Sequence, residues 1–446
     1  MNNNKITKKR VAQTWGIFML ASLLFTSCLK NQEDFFDESA SARMTNTINK
    51  TKDILRNSEY GWEFEYYPDR DLSYGGLVYT VKFDSLDATI GCSLIPDSTV
   101  TTYYRITNDN GPVLTFDTYN PLMHYFATPS AGEYEAKDGD FEFVIEKLSD
   151  DEIVLYGKRT RNTMYLRKLK YSPAEYAAKT IAISDNFIQS MSGTVGESEV
   201  TATFDLNVKS IEFIQGTDTI TSHFTFNDEG IRLYAPLNLS GMTMQSFAYD
   251  METNRLTCLD AGCESVSFQG VPHGDDYMPY SQYEGKYKLR YHNNLLEATI
   301  SLVPSRIDGT FRLTGLSPKY ELILNYDFNT GELTLGPQWV GVLNDGESEK
   351  SVYFLTTNVN DKGVTETEWI GEDCTLKLVW NKDKDAPVFT FEASNPDKYP
   401  CNSAELLLLF YDENDDLRGA EVKNKEWFTN ETPDFQYLNS LTKLKE

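Results

Sequence analysis

The sequence of 446 residues is poor in histidine, cysteine and basic residues, and each shortage argues against a class of function. Its four histidines never stand four residues apart, and neither HExxH nor a pair of CxxC motifs occurs, so a zinc enzyme is not supported. GxSxG and glycine-rich phosphate loops are missing as well. With 67 acidic against 41 basic residues, the net charge of −26 opposes binding to nucleic acid, which needs an excess of Lys and Arg. We therefore predict no metal, no cofactor and no nucleic-acid partner.

The N-terminus has the pattern of a targeting segment. Four basic residues, Lys5, Lys8, Lys9 and Arg10, precede the apolar run 15–25, and Phe25-Thr26-Ser27-Cys28 follows it. At about 1.5 Å per residue this run covers roughly half of a bilayer core, and no apolar run of about 18 residues follows it, so a membrane-spanning helix is disfavoured. We predict a bacterial lipoprotein signal peptide over residues 1–27 and an acyl anchor, such as palmitate, on Cys28. The alternative is a secretory peptide with an incidental cysteine.

An acidic segment follows the predicted lipid anchor. Residues 28–40 contain Glu33, Asp34, Asp37 and Glu38, and removal of the signal peptide leaves the mature chain with a formal charge of −30. The segment resembles the surface-export signal of Bacteroidetes lipoproteins, which predicts an outer-membrane location facing the cell exterior. A solvated linker is the alternative.

The remaining sequence predicts a mainly β protein. Aromatic residues make up 13% of the chain, and many short runs alternate between apolar and polar residues, as in Trp62-Glu63-Phe64-Glu65-Tyr66. Helical patterns occur only over 39–57 and from Pro173 to Met191. We predict tandem antiparallel β-meander domains, sandwich or barrel-like, over 41–170, 171–276 and 277–446, the first two each preceded by a helix.

Five hairpin patterns in the sequence are similar. Residues 221–234 echo 102–116, and 246–258 echo 141–155, each as a strand, a turn and a second strand; a third version lies at 322–335. Since any two antiparallel hairpins share this pattern, the sequence leaves internal duplication open.

The least strand-like aromatic stretch is the Pro-containing loop 117–126. Tyr119, His124, Tyr125 and Phe126 are the predicted binding surface, for a glycan or peptide ligand. The tryptophans offer other stacking platforms, but Trp62 and Trp380 stand at the ends of apolar strands and are predicted to be core residues.

Acidic clusters and cysteines carry weaker signals. Residues 138–140 and 412–416 could supply oxygen ligands for calcium, but neither has EF-hand spacing, and a solvated hairpin tip is preferred for the second. Cys258 and Cys263 are close enough to bridge across a turn, whereas buried single thiols are preferred for most of the five cysteines after Cys28.

Several of these stretches resemble a known family. Residues 34–44, Gly61-Trp62, Tyr66-Tyr67-Pro68 and, above all, 111–126 are similar to a Bacteroidetes lipoprotein family called domain-of-unknown-function 4302. The similarity is strong over 28–170, extends through about residue 270 and is weak beyond. It implies a gene setting beside SusC-like TonB-dependent transporters and SusD-like lipoproteins, and it assigns no catalytic residue.

The resulting hypothesis is an outer-membrane surface lipoprotein that binds a ligand or partner for a TonB-dependent nutrient-uptake system. Two alternatives stay open. One is a carboxylate-dependent hydrolase of glycans or peptides, although 67 acidic residues prevent any pair from being singled out. The other is a purely structural subunit of the same assembly.

Overall fold

The computed structural model describes residues 39–109, 111–129, 134, 136–344, 349–371, 373–411, 417–421, 434–435 and 437–445. The predicted signal peptide, Cys28, the acidic cluster 412–416 and Trp427 lie outside the described residues. The chain is mainly β, as predicted: three closed eight-stranded antiparallel barrels follow one another, and a helix precedes each of the first two. Among the described residues, no helix is long and apolar enough to cross a membrane.

The first helix, α1 (Ala40–Arg56), begins where the sequence predicts. The Ser39 hydroxyl accepts a hydrogen bond from the Ala42 N–H at 3.2 Å and caps the N-terminus. Ile54 and Leu55 at its last turn are buried in the core of the first barrel. The Trp62 indole nitrogen donates to the Leu55 carbonyl at 2.7 Å, which joins the helix end to the first strand.

The first barrel is an uninterrupted meander in which the eighth strand pairs with the first. Its strands alternate: Trp62, Phe64 and Tyr66 point into the barrel, and the glutamates between them point outward. The strands are β1 (Trp62–Tyr66), β2 (Leu77–Phe83), β3 (Asp87–Cys92), β4 (Ile95–Asn108), β5 (Pro112–Phe116), β6 (Glu142–Leu148), β7 (Glu152–Gly157) and β8 (Thr163–Lys168).

The second helix, α2 (Pro173–Asn186), leads into a barrel of the same plan. Ser172 caps it and Pro173 occupies its first turn. The prediction that the helix continues to Met191 was wrong: Phe187 is extended and fully buried, with its ring edge-on to Phe204 at 4.9 Å. The strands are β9 (Ser190–Val195), β10 (Ser198–Asp205), β11 (Ser210–Gln215), β12 (Asp218–Phe226), β13 (Gly230–Leu239), β14 (Met242–Asp250), β15 (Arg255–Cys258) and β16 (Ser267–Gly270), which closes on β9.

The third barrel is interrupted twice. Its strands are β17 (Gly285–Tyr291), β18 (Leu296–Ser305), β19 (Thr310–Thr314), β20 (Leu322–Asp327), β21 (Glu332–Leu335), β25 (Leu376–Trp380), β26 (Val388–Ala393) and β30 (Ser440–Lys443). The two interruptions form one additional sheet from β22 (Gln338–Asn344), β23 (Glu349–Val359), β24 (Thr365–Trp369), β27 (Ser403–Tyr411), β28 (Leu417–Glu421) and β29 (Asp434–Phe435). Phe354 and Leu406 of this sheet share one core with the barrel.

The similar hairpins occupy equivalent places. Residues 102–116, 221–234 and 322–335 fall on the fourth and fifth strands of the first, second and third barrels. Residues 141–155 and 246–258 fall on the sixth and seventh strands of the first two. The sequence pattern therefore follows the repeated architecture.

Candidate functional site

The predicted aromatic loop divides into an exposed and a buried part. Tyr119 is 65% exposed, whereas His124 is buried with its ring stacked on Phe141, at 4.9 Å between centroids. Burial lowers the pKa of His124, and the Asn120 N–H donates to its Nδ1 at 3.2 Å. His124 therefore stabilises this loop and is not part of an exposed binding surface.

Tyr125 and Phe126 instead reach the place where all three barrels meet. The Tyr125 hydroxyl donates to Asp308 of the third barrel. Phe126 is buried beside Tyr74, at 5.3 Å between ring centroids, and forms part of a cavity wall. The structure thus brings two of the four predicted residues to one site, and leaves Tyr119 and His124 outside it.

This three-barrel cavity has a volume of about 300 Å³, which is at the lower end of the range for small-molecule sites. Each barrel contributes to its wall. The first gives Tyr74, Leu77, Leu94, Phe126 and Lys137; the second, with α2, gives Ser184, Leu206, Asn207, Lys209 and Phe226; the third gives Arg306, Ile307, Asp308, Gly309, Asn325, Tyr326 and Phe328.

Two similar turns fix the second barrel against the third beside this cavity. The turn after β10 has the sequence Asp205-Leu206-Asn207, and the turn after β20 has Asp327-Phe328-Asn329. The side-chain amide of Asn207 donates to Asp327 at 3.0 Å, and that of Asn329 donates to Asp205 at 3.0 Å. The two asparagine oxygens accept from the opposite backbones, at 2.9 Å from Phe328 N and 2.8 Å from Leu206 N. Four reciprocal hydrogen bonds therefore hold this wall in place.

Lys209, at the end of the first of these turns, is directed into the first barrel. Its backbone has a positive φ of 50°, and its carbonyl accepts from Phe224 N at 2.9 Å. The Lys209 Nζ donates to the Tyr74 carbonyl at 3.2 Å. Among the residues that the structure describes, no carboxylate pairs with this ammonium, and burial lowers its pKa to about 8.

The other two cations of the cavity have carboxylate partners. Lys137 Nζ lies 3.3 Å from Asp308 and donates to the Tyr125 hydroxyl at 2.8 Å. Arg306 forms two hydrogen bonds to Asp185 of α2, at 2.8 and 3.0 Å. Burial raises the pKa of Asp308. Lys209 is therefore the cation of this wall that lacks a carboxylate partner within the described part of the chain.

A second charged site, the interface cluster, lies between the first two barrels and consists of Glu63, Glu65, Arg167 and Arg232. Glu65 is 1% exposed, and its Oε1 is 2.6 Å from Arg167 and 3.6 Å from Arg232. Burial, followed by the neighbouring charge of Glu65, raises the pKa of Glu63 to about 7. A small cavity of about 160 Å³ adjoins these residues. The sequence did not single out this pair, although both glutamates share the outer face of β1.

An open cleft of about 630 Å³ separates the second and third barrels on another side. His273 and Tyr277 stack there at 3.6 Å, with His273 Nε2 2.9 Å from the Phe187 carbonyl oxygen. Trp380, predicted as a core residue, is only partly buried and lines this cleft, with its indole nitrogen donating to the Asp276 carbonyl. Trp62, by contrast, is fully buried, as predicted.

The remaining predicted features have structural roles. Asp140 is buried and accepts hydrogen bonds from the Arg159 N–H at 2.6 Å and the Thr160 hydroxyl at 2.6 Å, while Asp138 pairs with Arg159. In the described ranges, no group of three or more His, Cys, Asp or Glu is placed to hold a metal ion. Cys258 and Cys263 are not bridged in the structure, and both are buried, as are Cys92, Cys374 and Cys401.

Comparison with known protein families finds two models that match separate parts of the chain. Residues 32–251 match the model described as domain of unknown function, DUF4302, and residues 259–407 match a second domain of unknown function, DUF4987. The first match confirms the resemblance seen in the sequence, and the second extends beyond it. A search of curated proteins gave no match.

Among solved structures, one similar chain is a variant of the vaccine antigen transferrin binding protein B from Haemophilus parasuis. It is 11% identical, and the alignment covers 86% of this chain and 75% of that chain, with a TM-score of 0.12. A similarity of this size carries no argument about fold or function.

Proposed function

We propose that this protein is an outer-membrane lipoprotein, anchored through Cys28 and facing the cell exterior, that binds a small ligand for a SusC/SusD-like, TonB-dependent uptake assembly. The ligand site is the three-barrel cavity. The N-terminal pattern before Cys28 supports the anchor, and the family resemblance supports the setting.

The observation that carries the binding role is the construction of the three-barrel cavity. Its wall combines side chains from three separate barrels, and those barrels are fixed to one another beside it by hydrogen bonds and ion pairs. It contains the half-buried Lys209 ammonium group, which has no carboxylate partner among the described residues. Because a buried, unpaired charge reduces stability, its presence in a cavity is typical of a functional site.

A pair of tryptophan variants tests the cavity. Leu94→Trp places a large ring in the cavity wall, whereas Leu86→Trp places the same ring at a position of the first barrel that is 59% exposed. We expect native mass spectrometry to find a small molecule on wild-type protein and on Leu86→Trp purified from cell envelopes, and none on Leu94→Trp. An unliganded wild-type protein, or equal loading of both variants, would contradict the proposed site.

Affinity capture tests the uptake setting. The lipoprotein, extracted in detergent from outer membranes, is expected to bring down TonB-dependent transporter components. Cys28→Ala should move from the membrane fraction to the soluble fraction. Capture without any transporter component would exclude the uptake role, while capture of a transporter by a protein that carries no ligand would favour a structural subunit.

The interface cluster supports a second candidate, the carboxylate-dependent hydrolase. Glu63, with a pKa raised to about 7, is the candidate general acid of a glycosidase, and Glu65, which is ion-paired with two arginines, is the second carboxyl group. Their burial between two barrels, beside only about 160 Å³ of space, makes this the weaker proposal. Hydrolysis of a glycan or peptide panel that Glu63→Gln abolishes, without a change in folding, would favour it.

A further inference from the structure

One cation of the three-barrel cavity lacks a carboxylate partner among the described residues. Arg306 is neutralised by Asp185 and Lys137 by Asp308, so each of these cations has its own carboxylate. Lys209 lies on the same wall, and within the described part of the chain it has one polar partner, the Tyr74 carbonyl. An ammonium group has three N–H donors, so two remain for other acceptors. Lys209 is therefore the cation of the described wall that has unused N–H donors and no carboxylate partner.

The rest of the wall is largely apolar. Leu77, Leu94, Phe126, Leu206, Phe226 and Phe328 surround the space. A volume of about 300 Å³ corresponds to roughly ten water molecules in the liquid, which is room for a small organic molecule but not for an oligosaccharide. The wall thus fits a compact apolar body with one polar end.

The single ammonium without a carboxylate partner limits the charge that the polar end of a ligand carries. A neutral ligand would leave the Lys209 ammonium unpaired, and a divalent anion would bring a second negative charge into a largely apolar space without a free cation to meet it. One negative charge is enough to pair with the Lys209 ammonium. A carboxylate also supplies acceptor oxygens for the unused N–H donors, and charge-assisted hydrogen bonds are the stronger kind.

We infer that the three-barrel cavity binds a small monocarboxylate with an apolar body, whose carboxylate pairs with the Lys209 ammonium. This inference rests on the proposed function, since it names the class of ligand for the same site. It also gives a reason for the half-buried lysine and its positive φ: the turn after β10 places the ammonium where the ligand's charge must lie.

Calorimetric titration of the detergent-solubilised lipoprotein tests the inference with matched probes. The acids are benzoate and butyrate, and their neutral isosteres are benzamide and butyramide. Inorganic phosphate serves as an anion that has no apolar body. Because hydrogen bonds to charged groups contribute about 1.5–3 kcal/mol, we expect at least one acid to bind at least about tenfold more tightly than its amide. Phosphate should bind more weakly than that acid.

Variants assign the preference to Lys209. Lys209→Met keeps most of the side-chain volume and removes the charge, so it should bind acid and amide equally. Lys147→Met removes a lysine from an exposed position of the first barrel and should keep the wild-type preference. If Lys209→Met does not fold, the comparison of acid with amide in the wild-type protein still decides the question.

The outcomes separate the inference from the proposed function. Equal affinity for acid and amide, or tighter binding of phosphate, overturns the inference and leaves the cavity as a ligand site. Unchanged acid preference in Lys209→Met also overturns it. If none of the probes binds, the inference is wrong, and the proposed function fails only if the envelope-purified protein is unliganded as well.

Discussion

Glu65 and Lys209 are charged residues at contacts between barrels, the first buried and the second half-buried, and their surroundings differ. Glu65 lies between the first two barrels within 2.6 Å of Arg167 and 3.6 Å of Arg232. Lys209 lies where all three barrels meet, and its polar partner within the described residues is a backbone carbonyl 3.2 Å away. The first contact has two carboxylates facing two guanidinium groups beside a small cavity. The second has an ammonium without a carboxylate partner among the described residues, beside a larger cavity.

This difference separates a structural site from a binding site. Buried charges that pair with one another favour the arrangement of the barrels that keeps them in contact. Removal of one partner leaves the other charge buried without compensation, which strongly destabilises the protein. A buried charge that lacks a partner destabilises the free protein and is retained where a ligand supplies the partner. The two sites should therefore respond to mutation in opposite directions.

The largest expected effect is a loss of stability at the interface cluster. Glu65→Leu removes the carboxylate between Arg167 and Arg232 and should reduce the free energy of unfolding by about 3–5 kcal/mol. Urea denaturation measures this change. Glu146→Gln, at an exposed position of the same barrel, is the control and should change stability by less than about 0.5 kcal/mol. A loss below about 1 kcal/mol for Glu65→Leu would show that the cluster does not hold the barrels together.

The next effect has the opposite sign. Lys209→Met should stabilise the ligand-free protein by on the order of 3 kcal/mol, because burial lowers the Lys209 pKa from 10.5 to about 8 and each pKa unit corresponds to about 1.4 kcal/mol. The same denaturation experiment measures it, with Lys147→Met as control. Destabilisation by Lys209→Met would mean that the ammonium is satisfied in the folded protein.

The pH dependence of stability should also differ between the two sites. Lys209 has a folded-state pKa below its unfolded value, so its penalty is full below pH 8 and disappears as pH rises toward 10.5. Glu63 has a folded-state pKa raised to about 7, so its penalty is full above pH 7 and disappears as pH falls toward 4.5. Cys92 is the titratable group that acts on Lys209, and Glu65, Tyr176, Arg167 and Asp228 act on Glu63.

Two variants isolate these contributions. Lys209→Met should remove the increase in the free energy of unfolding that occurs as pH rises from 8 to 10.5. Glu63→Gln should remove the decrease in the free energy of unfolding that occurs as pH rises from 4.5 to 7. Thermal unfolding across this pH range measures both. If Lys209→Met has the same dependence of stability on pH as the wild-type protein, the Lys209 ammonium does not pay a burial penalty in the folded protein.

The smallest expected effect concerns the paired turns beside the cavity. Asn207→Ala and Asn329→Ala each remove two hydrogen bonds between the second and third barrels and should each cost about 1–2 kcal/mol. Because the two turns form one network, the double variant should cost less than the sum. Additive losses would show that the turns act independently.

Local patterns in the sequence predict much of the fold. The alternation in β1 and β2 reproduces their bounds, and the capping residues Ser39 and Ser172 mark the helix starts. The end of α2 was missed because Phe187 continues the apolar helical pattern, whereas tertiary packing on Phe204 draws it into the second barrel's core. The closure of each barrel was not fixed by the sequence either, because β8 meets β1 across more than 90 residues of chain.

The candidate site was only partly predictable. Tyr125 and Phe126 were found because their stretch is aromatic and not strand-like. Charged residues are common at turns, and the sequence around Lys209, Arg306 and Asp308 does not distinguish them from other turn residues. They could therefore not be predicted as site residues. The repeated Asp-x-Asn at 205–207 and 327–329 was a usable signal for paired turns, but only the packing of three barrels brings Lys209 and Asp308 to one cavity.

The pKa of Lys209, measured by NMR on lysine-labelled protein with and without benzoate, tests the central claim most directly. Cys92, Lys137, Arg306 and Asp308 are the titratable or charged groups nearby, and Lys209→Met identifies the signal. We expect a pKa near 8 in the free protein and a rise of at least about one unit when benzoate is saturating, because the carboxylate stabilises the ammonium. A pKa near 10.5 in the free protein, or one that saturating benzoate leaves unchanged, would contradict the assignment of this cavity as an acid-binding site.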